Sequence, residues 1–152
     1  IYDPLREELF TASRGDGAQL NDRRLRVAKR KEMTNALLAT GFPFKVPQHL
    51  PAYLAMFTNL FTQVADVRRT GSAALDLAYV AAGRLDGYWE IGLEKWDLAA
   101  GALIIEEAGG VISDFVGGDN YINSGNVVVG NLNIHKHMLE GITPHLTEEL
   151  KK

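Results

Sequence analysis

The chain contains no cysteine, which excludes a disulfide framework, a thiolate metal site and a cysteine nucleophile. Nor has it any excess of positive charge: 16 Lys and Arg stand against 19 Asp and Glu, a formal net charge of −3. Nucleic-acid phosphates call for a basic face, so no direct nucleic-acid partner is expected. No run of about 18 apolar residues occurs; the longest candidate, Leu98 to Val111, is interrupted by Glu106 and Glu107, and no membrane partner is expected. Histidine is scarce. His135 and His137, two apart on a predicted helix, point to different faces, and His49 and His145 lie in turns beside Pro51 and Pro144, so no zinc site is predicted. A Ser-His-Asp hydrolase has little support either, because no Gly-x-Ser-x-Gly elbow is present. The first residue is Ile1 rather than Met, and no charged segment followed by an apolar stretch opens the chain. The chain therefore reads as a fragment or a processed chain, and a cytoplasmic location fits.

What is present is ordinary for a globular protein: 152 residues, 46% hydrophobic and 23% charged. A chain of this length is one domain that can bury roughly 70% of its unfolded surface. The opening residues, with an Asp3-Pro4 turn and glycines at 15 and 17, predict antiparallel strands through Val27, and Ile1 reads as part of a strand whose neighbours are missing. The run Asp22 to Glu32 holds eight charged residues, six of them basic; it reads as a solvated face, with a partner-binding surface as the alternative. From residue 35 the pattern becomes α/β. Strands are predicted over 36–40, 87–91, 111–115 and 127–129, and helices over 51–64, 72–82 (ended by Gly83) and 97–108 (ended by Gly109-Gly110). A last helix is predicted over 134–150, broken near Gly141 and Pro144.

Two strand-to-helix junctions stand out. In Glu90-Ile91-Gly92-Leu93-Glu94-Lys95-Trp96-Asp97-Leu98-Ala99-Ala100-Gly101, Asp97 sits where a helix N-cap sits. It reads either as that cap or as a carboxylate ligand for Mg²⁺, a hard ion that takes oxygen donors. The small residues Ala99, Ala100 and Gly101 would let the helix pack on the sheet, and Trp96 is expected to fix the loop by burial. In Arg69-Thr70-Gly71-Ser72-Ala73-Ala74, a Gly-Ser turn opens a helix whose free N–H groups either take the Ser72 cap or meet an anionic or polyol ligand. Open α/β sheets bind ligands beyond the carboxyl ends of their strands, where both junctions can share one crevice. Glu90 reads as solvated or as facing it, and Glu106-Glu107 as a surface or structural pair.

Trp96-Asp97-Leu98-Ala99-Ala100-Gly101, followed by Glu107-Ala108-Gly109-Gly110, resembles the C-terminal signature of the inositol monophosphatase family. The match extends in the family's order through Leu37-Leu38-Ala39-Thr40-Gly41-Phe42-Pro43-Phe44, Arg69 to Ala74 and Ala81 to Glu90, and looks most like the bacterial branch. The resemblance implies a layered αβαβα sugar-phosphatase fold. Residues 1–34 would be the end of its first sheet and residues 35–152 its C-terminal α/β half. It implies Mg²⁺-dependent hydrolysis of inositol monophosphate, with lithium inhibition, and a homodimer. Fructose 1,6-bisphosphate or a 3′-phosphonucleotide is the alternative substrate, and some bacterial relatives also partner transcription elongation machinery.

Carried over by motif, Asp97 matches the family's C-terminal metal-binding and catalytic aspartate. Gly71, Ser72 and Ala73 match the loop whose backbone meets substrate, and Glu90 a carboxylate that binds sugar hydroxyls. Glu94 stands where some members have a substrate-facing histidine. The family's upstream glutamate and Asp-Pro-Leu/Ile-Asp-Gly-Thr motif are absent from these residues, and Asp3-Pro4-Leu5-Arg6 lacks its second Asp and Gly-Thr. The chain alone is therefore expected to be inactive.

Overall fold

Alternating residues at the start of the chain pair as antiparallel strands in a computed structural model that describes residues 1–152. Strands β1 (Tyr2–Asp3), β2 (Glu8–Ser13), β3 (Gly17–Leu20) and β4 (Arg23–Arg24) form a four-stranded sheet in chain order. Asp3 closes the β1–β2 turn locally: its carboxylate accepts the Leu5 and Arg6 amides and the Arg6 guanidinium.

The rest of the chain is α/β: β5 (Leu37–Thr40), α1 (Leu50–Phe61), β6 (Asp66–Arg68), α2 (Ala73–Ala81), β7 (Gly87–Glu90), α3 (Lys95–Glu107), β8 (Val111–Ser113), α4 (Tyr121–Ser124), β9 (Val127–Gly130) and α5 (Leu132–Ile142). Its strands form one sheet in the order β6-β5-β7-β9-β8; β6, β5 and β7 run parallel and β9 is antiparallel to both neighbours. Both faces are covered, so these strands read as apolar runs. On one face Tyr88 and Val129 pack with Leu77 of α2 and Leu98 and Ile105 of α3, which in turn contact Phe10 and Ala18 of the first sheet. On the other face Leu38, Trp89 and Val128 pack on Met56 of α1 and on Ile134 and Met138 of α5. The order is therefore sheet, helix pair, sheet, helix pair.

The α2–α3 contact depends on Gly101. A Cβ there would lie 2.7 Å from the Leu77 Cβ, closer than two helices can approach through side chains. In an open helix Gly→Ala gains about 1 kcal/mol; here overpacking costs roughly 1–3 kcal/mol. Gly101→Ala is therefore expected to lower the urea midpoint, and a raised midpoint would show that α2 and α3 are not in contact. The small residues of this motif serve helix on helix rather than helix on sheet, since Ala99 and Ala100 are exposed.

Several boundaries moved. Helix α3 begins at Lys95, because Glu94 is its N-cap, and Asp97 occupies the third helical position instead of the cap. Strand β8 stops at Ser113 because the Asp114 carboxylate gathers the Val116 and Gly118 amides at 2.9 and 2.7 Å into a turn. Asn131 caps α5 through the Asn133 and Ile134 amides, starting it two residues early, and the chain breaks at Pro144 into a 3-10 turn. The short α4 carries too few residues for helical periodicity to reveal it. Glu107 proves structural: its carboxylate accepts the Gly15 and Gly17 amides at 2.8 and 2.9 Å, fastening the β2–β3 hairpin to α3.

Candidate active site

Three parallel strands, β6, β5 and β7, end at the same edge of the second sheet, and the segments that follow them form the walls of a cleft of about 310 Å³. Its lining includes Thr40, Gly41, Phe42, Phe44 and Lys45 after β5, Arg69, Gly71, Ser72, Ala73 and Asp76 at the start of α2, and Glu90 to Leu93 and Asp97 around the start of α3. The strand ends are locked together by Thr40, whose hydroxyl donates to the Trp89 carbonyl at 2.8 Å and contacts the Tyr53 hydroxyl at 3.2 Å.

Gly71, Ser72, Ala73, Glu90 and Asp97 thus meet in one place, although they lie up to 26 residues apart in the chain. Gly71 takes φ +97°, a left-handed conformation open to glycine, and Ser72 then caps α2 by accepting the Leu75 amide at 3.4 Å. Glu90 is not a solvated strand end. Its carboxyl turns into the cleft, receives the Tyr88 hydroxyl, and is held above the usual carboxylate range by burial and by the nearby Asp76 charge, which Arg69 partly offsets. Gly41 makes room for it, because a Cβ there would overlap the Glu90 carboxylate. Burial and the Glu90 charge likewise push the Tyr88 phenol well up.

Asp97 accepts the Glu94 amide on Oδ2 at 3.1 Å, so it contributes to capping as the third residue of the helix, and Oδ1 is left without a donor from the chain. That oxygen, on the cleft wall, suits a hard cation. No three His, Cys, Asp or Glu side chains cluster at metal-binding distance. Glu94 stands apart from the cleft lining; it is half-exposed and pairs with Lys45 at 3.4 Å at the mouth. No histidine lines the cleft.

Trp96 departs from expectation. It is 77% exposed, because the first turn of α3 turns Leu98, not Trp96, into the core. The loop is fixed instead by backbone: Leu93 donates to the Gly125 carbonyl at 2.9 Å, and Gly92 to Asn126 Oδ1 at 3.3 Å.

Sequence reasoning missed Asp76, Arg69 and Lys45. Asp76 is 2% exposed, accepts the Thr70 hydroxyl at 2.6 Å, and is pushed by burial to a pKa of about 6. A polar residue at an apolar-periodic helix position was the available signal. The Arg69 guanidinium lies over the Phe44 ring at 5.4 Å, a contact between segments that no local pattern shows.

The chain matches the family model described as "Inositol monophosphatase family" over residues 1–151. It is 56% identical over 152 residues to a Salmonella typhimurium protein named Nus factor SuhB, covering all of this chain and 57% of that protein. The solved inositol monophosphatase from Anabaena superposes with a TM-score of 0.89 at 40% identity, over 95% of this chain and 60% of that one. A staphylococcal inositol monophosphatase, SaIMPase-II, whose structure holds inositol monophosphate, does so with a TM-score of 0.83 at 27% identity, over 95% and 56%. The chain spans 57% of the length of the curated relative it matches.

Proposed function

This chain belongs to the inositol monophosphatase family, and from that premise we propose that its cleft is the substrate half of a Mg²⁺-dependent phosphatase acting on inositol monophosphate. The observation that carries the reading is the convergence of Asp97, Glu90 and the Gly71-Ser72-Ala73 turn beyond the ends of three parallel strands. Inositol monophosphate bound in the staphylococcal structure supports the substrate class.

In this reading Asp97 Oδ1 supplies one metal oxygen, the start of α2 presents backbone N–H groups to the substrate, and the Glu90 carboxylate accepts hydrogen bonds from sugar hydroxyls. Mg²⁺, when bound, activates a water for in-line attack and neutralises the phosphoryl and leaving oxygens. The remaining ligands would be supplied from outside residues 1–152, with residues 1–34 as the end of the first sheet and residues 35–152 as the C-terminal α/β half. Phosphate release from inositol 1-phosphate is the test. The full-length protein is expected to show Mg²⁺-dependent, lithium-inhibited release, and the 152-residue chain none. Metal-independent release, or full activity of the isolated chain, would defeat the reading.

Lys45 and Arg69 on the cleft wall favour a second reading of the substrate, in which a further anionic group, as in fructose 1,6-bisphosphate or a 3′-phosphonucleotide, meets these cations. We also propose a homodimer, supported by the exposed apolar side chains Phe44, Leu54 and Phe61 beside the cleft and on α1, and a cytoplasmic location. No helix is long and apolar enough to cross a membrane.

A role as a partner of transcription elongation proteins draws support from the relatives' name and from the edge strand β4 and the segment just after it, where Arg23, Arg24 and Arg26 are exposed without acidic partners. Charge reversal at these three positions is expected to weaken such binding at least tenfold in a pull-down titration while phosphatase activity stays unchanged. Undiminished binding would remove this surface from the account.

A further inference from the structure

Besides the Asp76 amide, which donates to the Ser72 carbonyl at 2.9 Å, the turn that carries Gly71 and Ser72 is fastened to α2 by two side-chain bonds of unequal strength. The Leu75 amide reaches Ser72 Oγ at 3.4 Å, near the limit for a hydrogen bond. Thr70 Oγ1 donates to Asp76 Oδ1 at 2.6 Å, the length of a hydroxyl bond to a charged oxygen. The ends of the short bond differ in environment: Thr70 is exposed, whereas Asp76 is 2% exposed and held on the first turns of a packed helix. Between them, Gly71 at φ +97° has the freest backbone of any residue type and holds no shape by itself.

A buried carboxylate is costly unless paired and hydrogen-bonded. Asp76 has no ion-pair partner and one side-chain donor, Thr70. Helix α2 already has Ser72 as its cap, so capping does not explain an acid at this depth. Asp76 does line the cleft, at the base of the turn that would meet substrate.

We infer that Asp76 is a positioning residue of the substrate cleft, which acts through Thr70 to hold the Gly71-Ser72 turn in the shape that meets the substrate. The inference rests on the functional reading above for what the turn binds, but the tie itself is a property of these residues. An interaction made equally in the ground and transition states changes KM and leaves kcat alone, which separates this role from chemistry.

The test uses full-length protein with Mg²⁺ and inositol 1-phosphate. Thr70→Val and Asp76→Ala are each expected to raise KM about tenfold with kcat within about twofold, the worth of one charge-assisted hydrogen bond. The double variant is expected to be no worse than either single, because both remove the same bond, and Thr70→Ser to restore the wild-type KM. An unchanged KM in Thr70→Val, or effects that multiply in the double variant, would overturn the inference. If Asp76→Ala does not fold, the Thr70→Val and Thr70→Ser pair decides the question at an exposed position.

Amide hydrogen exchange at Leu75 and Asp76, whose N–H groups donate to Ser72 Oγ and to the Ser72 carbonyl, provides a readout that needs no turnover. It is expected to rise about tenfold in Thr70→Val and to stay at the wild-type rate in Thr70→Ser. Unchanged exchange in Thr70→Val overturns the tie even if no substrate is hydrolysed. Loss of exchange protection in a protein that hydrolyses no inositol phosphate would support the tie and refute only the functional reading.

Discussion

Asp97→Asn in the full-length protein is expected to lower phosphate release from inositol 1-phosphate on the order of 1,000-fold, while the melting temperature stays within a few degrees of wild type. The two halves of this expectation have separate causes. Asn keeps an oxygen for the Glu94 amide that Asp97 Oδ2 now accepts at 3.1 Å, so the capping of α3 survives. What is lost is the negative charge on the cleft wall, and with it one oxygen ligand of a metal worth several kcal/mol of transition-state stabilisation, where 1.36 kcal/mol is tenfold in rate. Equal loss of stability and activity would reduce Asp97 to a capping residue. Retained activity with retained stability would take it out of the metal site.

The second large effect comes from a residue with no functional group. Gly41→Ala is expected to lower kcat/KM by roughly 10- to 100-fold, the worth of hydrogen bonds to a charged group, with a smaller effect on stability than Gly101→Ala. The new methyl would overlap the Glu90 carboxylate. That carboxylate is the far end of a flexible side chain, so it can swing aside and spare the fold. It would then leave the position in which the Tyr88 hydroxyl holds it and where sugar hydroxyls would meet it. Steady-state kinetics and a denaturant titration on the same variant check both parts; a variant that loses stability but keeps kcat/KM would show that Glu90 does not touch substrate.

These two residues also show how much of the protein was legible beforehand. Most strands and helices of residues 35–130, though not the short α4, followed from apolar runs and Gly punctuation, while the layered αβαβα architecture was implied by the resemblance to the phosphatase family. The strand-to-helix junctions suggested that Asp97, Glu90 and the Gly71-Ser72-Ala73 turn could share one crevice, while the site roles expected of them came from the family resemblance. The role of Gly41 was not legible, since its reason is a carboxylate 49 residues away that only the β5–β7 pairing brings near. Asp76 gave a partial signal, an acid at an apolar-periodic helix position, but its burial and its bond to Thr70 appear only in the fold. Trp96 failed in the other direction, since aromatic character predicts burial on average while the phase of the first helical turn decides the individual case. Asp97 was placed at the cap when it is the third residue of α3, because Glu94 and Asp97 are both acids suited to a helix start and local sequence does not choose between them.

A metal and a phosphorylated polyol are expected to meet on Asp97 and Glu90. Anomalous diffraction from a crystal of the full-length protein soaked with Mn²⁺ and inositol 1-phosphate measures this directly. An anomalous peak is expected in coordination contact with Asp97 Oδ1, with the phosphate beside it and the ring hydroxyls within hydrogen-bond reach of Glu90 and the Gly71-Ser72 backbone. A peak and a ligand bound away from Asp97, with the cleft holding only water, would contradict that expectation.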